Sequence, residues 1–111
     1  MRHFDAAVKK YNMNFEEYQE AASKTALYPR RLSNLEYPTL GLAGEAGEVA
    51  NIVKKIQRDH GGVLNEETRA KLKDELGDVL WYISACADEL GLSIGEIAAY
   101  NVDKLAKRHG G

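Results

Sequence analysis

The sequence predicts an all-α fold, and three observations carry that prediction. Apolar residues recur at helical spacing through the centre of the chain, glycine and proline punctuate four segments that each have a start signal, and no stretch alternates with period two between turn residues. The architecture expected is a bundle of about four helices, two long central ones flanked by shorter ones.

The elements follow in order. Asn14 with Glu17 forms a capping box that opens the first helix, and Pro29 predicts its end near Tyr28. A polar connector, "PRRLSNLEYP", leads to Pro38, which suits the first turn of a second helix running to about Arg58 and broken by Gly61 and Gly62. Asn65 caps a third helix whose first turn carries Glu66 and Glu67, a favourable charge at that end of the dipole. It should continue to about Leu90 and stop at Gly91. Ser93 and Glu96 make a second capping box, and the fourth helix they open frays into "RHGG".

Size and charge bound the function. A length of 111 residues predicts one domain over 1–111, with about the first 13 residues as an N-terminal extension. A net charge of -2 gives no electrostatic case for direct nucleic-acid or membrane binding. The segment "MRHFDAAVKKYN" holds no uninterrupted apolar run, so neither a signal peptide nor a membrane span is expected. The single cysteine, Cys86, excludes an internal disulfide and fits a reducing cytosol, which makes the expected location cytoplasmic.

From Val79 to Ala87 the third helix is apolar almost all the way round, with Trp81 and Tyr82 on one side and Ile83 and Cys86 on another. A helix apolar on every face must be covered on every face. Four helices in a chain of this size cover it poorly, so a homo-oligomer, dimer or tetramer, is expected through the central helices.

The same two helices carry acids where apolar residues belong. On the second helix the stripe Leu42, Val49, Ile52, Val53, Ile56 includes Glu45, with Glu48 one turn on. On the third, the stripe Leu72, Leu76, Val79, Ile83, Cys86, Leu90 has Glu75 on or beside it and Asp78 three residues later. Packing the stripes together brings four carboxylates into one place, which is tolerable only if some protonate or cations lie between them. An all-oxygen set without sulfur or imidazole suits Mg²⁺ or Mn²⁺. A di-iron centre would call for a histidine three residues after an inward glutamate, where this chain has Glu48 and Asp78. The competing expectation is that the acids lie at the stripe's edge and pair with Lys54, Lys55, Lys71 or Lys73. Gly44, Gly47 and Gly77 beside them suggest close approach of another group.

"GEAGEV" followed by "ELGDVL", with the ending "NVDKLAKRHG", resembles the MazG-like all-α nucleoside triphosphate pyrophosphohydrolases over roughly residues 15 to 109. The resemblance implies hydrolysis between the α and β phosphates, giving a monophosphate and pyrophosphate in control of the nucleotide pool. It implies that Glu45, Glu48, Glu75 and Asp78 are the catalytic metal ligands for Mg²⁺, with Mn²⁺ able to substitute. Glu48 is either a ligand or the base that orients water. Asn101 and Lys104 would reach the phosphates, and Lys54, Lys55 and Arg58 are further phosphate candidates beside their reading as a solvated helix end. Tyr18, Gln19 and Trp81 are candidates for the base, as are Tyr28 and Tyr37. Many members have two adjacent glutamates where this chain reads Gly44-Glu45, so one acidic group is missing. Three alternatives stand beside the hydrolase. One is a related phosphoribosyl-ATP pyrophosphohydrolase or dimeric dUTPase, another a non-catalytic helical oligomer that binds nucleotide or a protein partner, and the third a purely structural helix bundle.

Overall fold

The computed structural model describes residues 12–110, and all regular structure in that range is helical. Helix α1 spans Phe15–Ser23, α2 spans Glu36–Asp59, α3 spans Glu66–Glu89 and α4 spans Ile94–Arg108. No strand occurs among the described residues, so the all-α expectation holds. The expected N-terminal extension lies outside the described residues except for its last two positions.

The helix starts are set by local chemistry. Asn14 and Glu17 exchange side-chain to backbone hydrogen bonds at 2.8 and 3.0 Å, and Ser93 and Glu96 do the same at 3.0 and 2.7 Å. Asn65 accepts from the Thr68 N–H while Thr68 accepts from the Asn65 N–H, so a threonine completes that box. α2 begins at Glu36, two residues before the buried Pro38. Its formal cap, Leu35, has no side-chain bond, and Asn34 substitutes by accepting from the Tyr37 N–H at 3.2 Å. α1 ends at Ser23 rather than near Tyr28, because Ser23 and Thr25 hydroxyls donate to the carbonyls of Glu20 and Ala22. Such back-bonding competes with helix continuation. Gly91, at φ +67°, closes α3 as expected.

α2 and α3 form an antiparallel hairpin around the turn at 60–65, where Gly61 and Gly62 both take positive φ. α1 packs on α3 and on the start of α4. Gln19 joins them: its amide donates to Asp88 Oδ1 and the Leu92 carbonyl and accepts from the Ile94 N–H. The interior of the chain is built largely of small residues, with Ala22, Ala26, Ser84, Ala85 and Ala87 buried beside Tyr28, Ile56 and Ile94. The stripes read from the sequence are only partly covered. Leu72, Val79 and Ile83 are half-buried, whereas Val53, Leu76 and Leu90 keep 43%, 55% and 56% of their surface exposed.

The connector 24–35 is held against the end of α3. Glu89 accepts hydrogen bonds from the Tyr28 hydroxyl, the Leu32 N–H and the Asn34 N–H, and Asp88 accepts from Arg31 at 2.9 Å. Arg30 and Leu32 sit at φ 53° and 71°, a conformation that costs about 1–2 kcal/mol for a residue with a Cβ. That conformation persists because the surrounding bonds over-determine it.

Candidate metal centre

Glu45 projects from α2, and Glu75 and Asp78 from one face of α3, one turn apart. Each offers a carboxylate oxygen, and these oxygens all lie within 4.8 Å of one another. Glu48 is exposed and outside this trio, yet near enough for its charge to act on Glu75. The structure thus brings three of the four expected acids together and leaves the fourth at the rim.

The electrostatics are those of crowded anions. Close carboxyl-to-carboxyl contact with Glu45, then burial and the charges of Glu45, Asp78 and Glu48, push the Glu75 carboxyl up to about 7. That contact becomes a hydrogen bond only when one of the two is protonated. Two ionised carboxylates have no proton to share, so the contact demands a proton or a cation. Glu75 Oε2 is sealed from solvent and receives no hydrogen bond. Among the described residues none of the four acids forms an ion pair. Lys71 pairs with Glu67 instead, at 3.5 Å. The reading in which lysines neutralise the cluster therefore fails. An unpartnered buried oxygen within an all-oxygen donor set fits a hard divalent cation.

Glu45 and Asp78 also line an open cleft of about 360 Å³ whose other walls are Trp81 and Tyr82. Trp81 packs edge-on to Tyr82, with centroids 4.9 Å apart at 83°, and donates its indole N–H to Thr25 Oγ1 at 2.8 Å. Tyr18 lies near this end of the trio: burial, then the charge of Asp78, raise its phenol above the ordinary tyrosine value. Tyr82 is raised in the same sense by burial, Tyr37, Glu45 and Asp78. Tyr82 was legible only as an apolar residue, although it stands four residues after Asp78 on the same helical face. Gly41, four before Glu45, gives the Tyr82 ring its place, since a Cβ there would overlap the ring.

The other expected contacts fall elsewhere. Both donors of the Gln19 amide are committed, to Asp88 and the Leu92 carbonyl, and its oxygen accepts from the Ile94 N–H, which leaves it no donor for a base. Lys54 is exposed, and Lys55 lines a separate cleft with His60, Thr68 and Lys71 near the hairpin turn. Asn101 and Lys104 sit on the exposed second half of α4, where Lys104 shares a cleft with Tyr100, Asp103 and Lys107. Arg58 is bound to Asp59. Gly44, Gly47 and Gly77 face open space within this chain, so the close approach expected there is found at Gly41 instead.

Across the described residues no helix is long and apolar enough to cross a membrane. No solved structure matches the chain. A curated relative, Gene 37 protein of Mycobacterium phage L5, is 46% identical over 101 residues, spanning 86% of this chain and 89% of that protein. The model of the MazG nucleotide pyrophosphohydrolase domain matches residues 34–110, a span that holds α2, α3, α4 and every acid of the cluster. By that match the chain belongs to the MazG nucleotide pyrophosphohydrolase family.

Proposed function

We propose that this chain is a divalent-metal-dependent nucleoside triphosphate pyrophosphohydrolase of the nucleotide pool. It would cleave between the α and β phosphates to release a monophosphate and pyrophosphate in the cytoplasm. The observation that carries the proposal is the convergence of Glu45, Glu75 and Asp78 around a sealed, unpartnered Glu75 oxygen.

Glu45, Glu75 and Asp78 would hold Mg²⁺, with Mn²⁺ as a substitute. When bound, the metal supplies the charge that lets a triphosphate approach carboxylates and the Lewis acidity that weakens the anhydride. Glu48, outside the trio, is free to orient a water and take its proton as the water attacks phosphorus and pyrophosphate leaves. Trp81 and Tyr82 give the adjoining cleft an aromatic wall suited to a base, with Tyr18 near Asp78 at its edge as a further candidate. Lys55 lies seven residues beyond Glu48, about 10 Å along the helix, so it and Lys54 would meet only the distal phosphates. Asn101 and Lys104 would serve a site from the exposed half of α4 in a homo-oligomer, a dimer or tetramer formed on the uncovered faces of α2 and α3.

The test is pyrophosphate release from a panel of NTPs, dNTPs and modified nucleotides, with dUTP and phosphoribosyl-ATP included to separate the related enzymes. Activity should vanish with EDTA and in Glu45→Ala. Silence across the whole panel with both metals would remove the enzyme reading.

One observation favours a second reading, a nucleotide-binding oligomer without turnover. A Cβ at Gly44 meets nothing within 4 Å in this chain, so no clash at that atom accounts for the missing glutamate. Gly44→Glu separates the two. Turnover gained only in the variant supports the non-catalytic reading, and an active parent that gains nothing supports the hydrolase.

A further inference from the structure

The last two residues of α3 present an electrostatic oddity. Asp88 and Glu89 place two anions at the negative end of the helix dipole, in a last turn with no basic residue. Asp88 accepts from Gln19 of α1 and Arg31 of the connector, Glu89 accepts from the connector alone, and the connector carries the strained Arg30 and Leu32. The same connector reaches the cleft at Trp81 and also packs on the first turn of α2. Thr25 accepts the Trp81 indole N–H, and Tyr28 stacks on Tyr37 with centroids 4.7 Å apart at 9°. Tyr28 also shares one packed cluster with Ala26, Ala85 and Trp81.

From this we infer that Glu89 is a positioning residue, which fixes Trp81 against the Glu45–Asp78 cleft by holding the connector in its strained form. The inference rests on the reading of that cleft as a nucleotide site. Glu89 touches neither the acids nor the cleft, so its influence passes through Tyr28, the connector backbone and Thr25. Charge-assisted bonds to two N–H groups and a hydroxyl hold the connector where neutral acceptors would hold it less tightly. A planar aromatic ring that enters the cleft then meets an indole already in place rather than one it must order.

Trp81 is the only tryptophan, so its emission reports on the wall without any ligand. The experiment compares the full chain with Glu89→Gln, Tyr28→Phe and Thr25→Val in acrylamide quenching of Trp81. The substrate that the panel shows to be turned over fastest is then used for KM and kcat. Glu89→Gln and Thr25→Val should each raise the quenching constant about twofold and raise KM at least fivefold with kcat within twofold, and Tyr28→Phe should do so more weakly. Glu89→Gln can fail to fold, and Thr25→Val then carries the test because it cuts the link at Trp81 itself. Quenching unchanged in the folded variants would overturn the inference, and so would changed quenching with unchanged KM. Absence of any turnover would instead overturn the functional reading, leaving the quenching result to decide the role of Glu89.

Discussion

A methyl group at two glycines on α2 should have opposite effects. At Gly44 it meets nothing within 4 Å, so Gly44→Ala should stabilise the chain by about 0.5–1 kcal/mol, the helix-propensity difference. At Gly41 it overlaps the Tyr82 ring, so Gly41→Ala should cost about 1–3 kcal/mol as an overpacked contact and displace one wall of the cleft. Urea denaturation of both variants checks this, and stabilisation by Gly41→Ala would show that Tyr82 is free to swing away. The acids allow a second residue-scale test. Glu75→Gln removes an anion from the cluster and turns the forced proton-sharing contact with Glu45 into an ordinary amide-carboxylate hydrogen bond. The metal-free variant should melt higher than the parent. It should also lose the rise in melting temperature that Mg²⁺ gives the parent, with affinity down at least about tenfold. A lower metal-free melting point would mean that Glu75 is stabilising as an ion, which contradicts the crowding argument.

At the scale of the elements, the connector should make stability depend on acid pH through Glu89. Burial alone would raise its carboxyl, but the Tyr28 hydroxyl, the Asn34 and Leu32 N–H groups and the charge of Arg31 outweigh that and hold it below 4.5. A depressed folded pKa contributes stability that is fully present above the unfolded value and is lost as pH falls through the folded one. The penalty of Glu89→Gln should therefore be largest between pH 5 and 7 and shrink below pH 4, read from urea midpoints across that range. A penalty constant with pH would assign the loss to packing. This network also marks where the sequence stops being legible. Asn14–Glu17 and Ser93–Glu96 were readable because each is a bond between residues three apart in the chain. Glu89 meets Tyr28, Leu32 and Asn34 across 55 to 61 residues, and nothing local distinguishes it from any other acid near a helix end. The inward acids were legible as exceptions to a periodic pattern, and Glu45, Glu75 and Asp78 do meet. Glu48 follows the same spacing, but its position one turn along α2 carries it to the exposed rim.

For the whole molecule, the unresolved balance is between a core of small residues and large aliphatics left outside. Ala22, Ala26, Ala85 and Ala87 fill the interior, while Leu40, Val53 and Leu76 on the hairpin and Val102 on α4 remain exposed. Each large side chain covered on association contributes roughly 1.5–3 kcal/mol. A few of them per subunit reach the scale of a stable dimer at micromolar concentration, about 8 kcal/mol, once ordering costs are subtracted. The chain should therefore sediment as a dimer or tetramer at micromolar concentration, and its melting temperature should rise with protein concentration, because association and folding are linked. Leu76→Glu places a charge on the α3 face that the single chain leaves open and should shift the population towards monomer. The Glu45–Glu75–Asp78 trio should survive in that monomer, since all three acids come from one hairpin, and Mg²⁺ should still raise its melting temperature. Under the proposed assembly, activity should fall further than metal binding, because a second copy would no longer bring Asn101 and Lys104 to the site. A parent chain that stays monomeric at high concentration and melts independently of concentration would refute the assembly. It would also require α4 to reach the acids within its own chain.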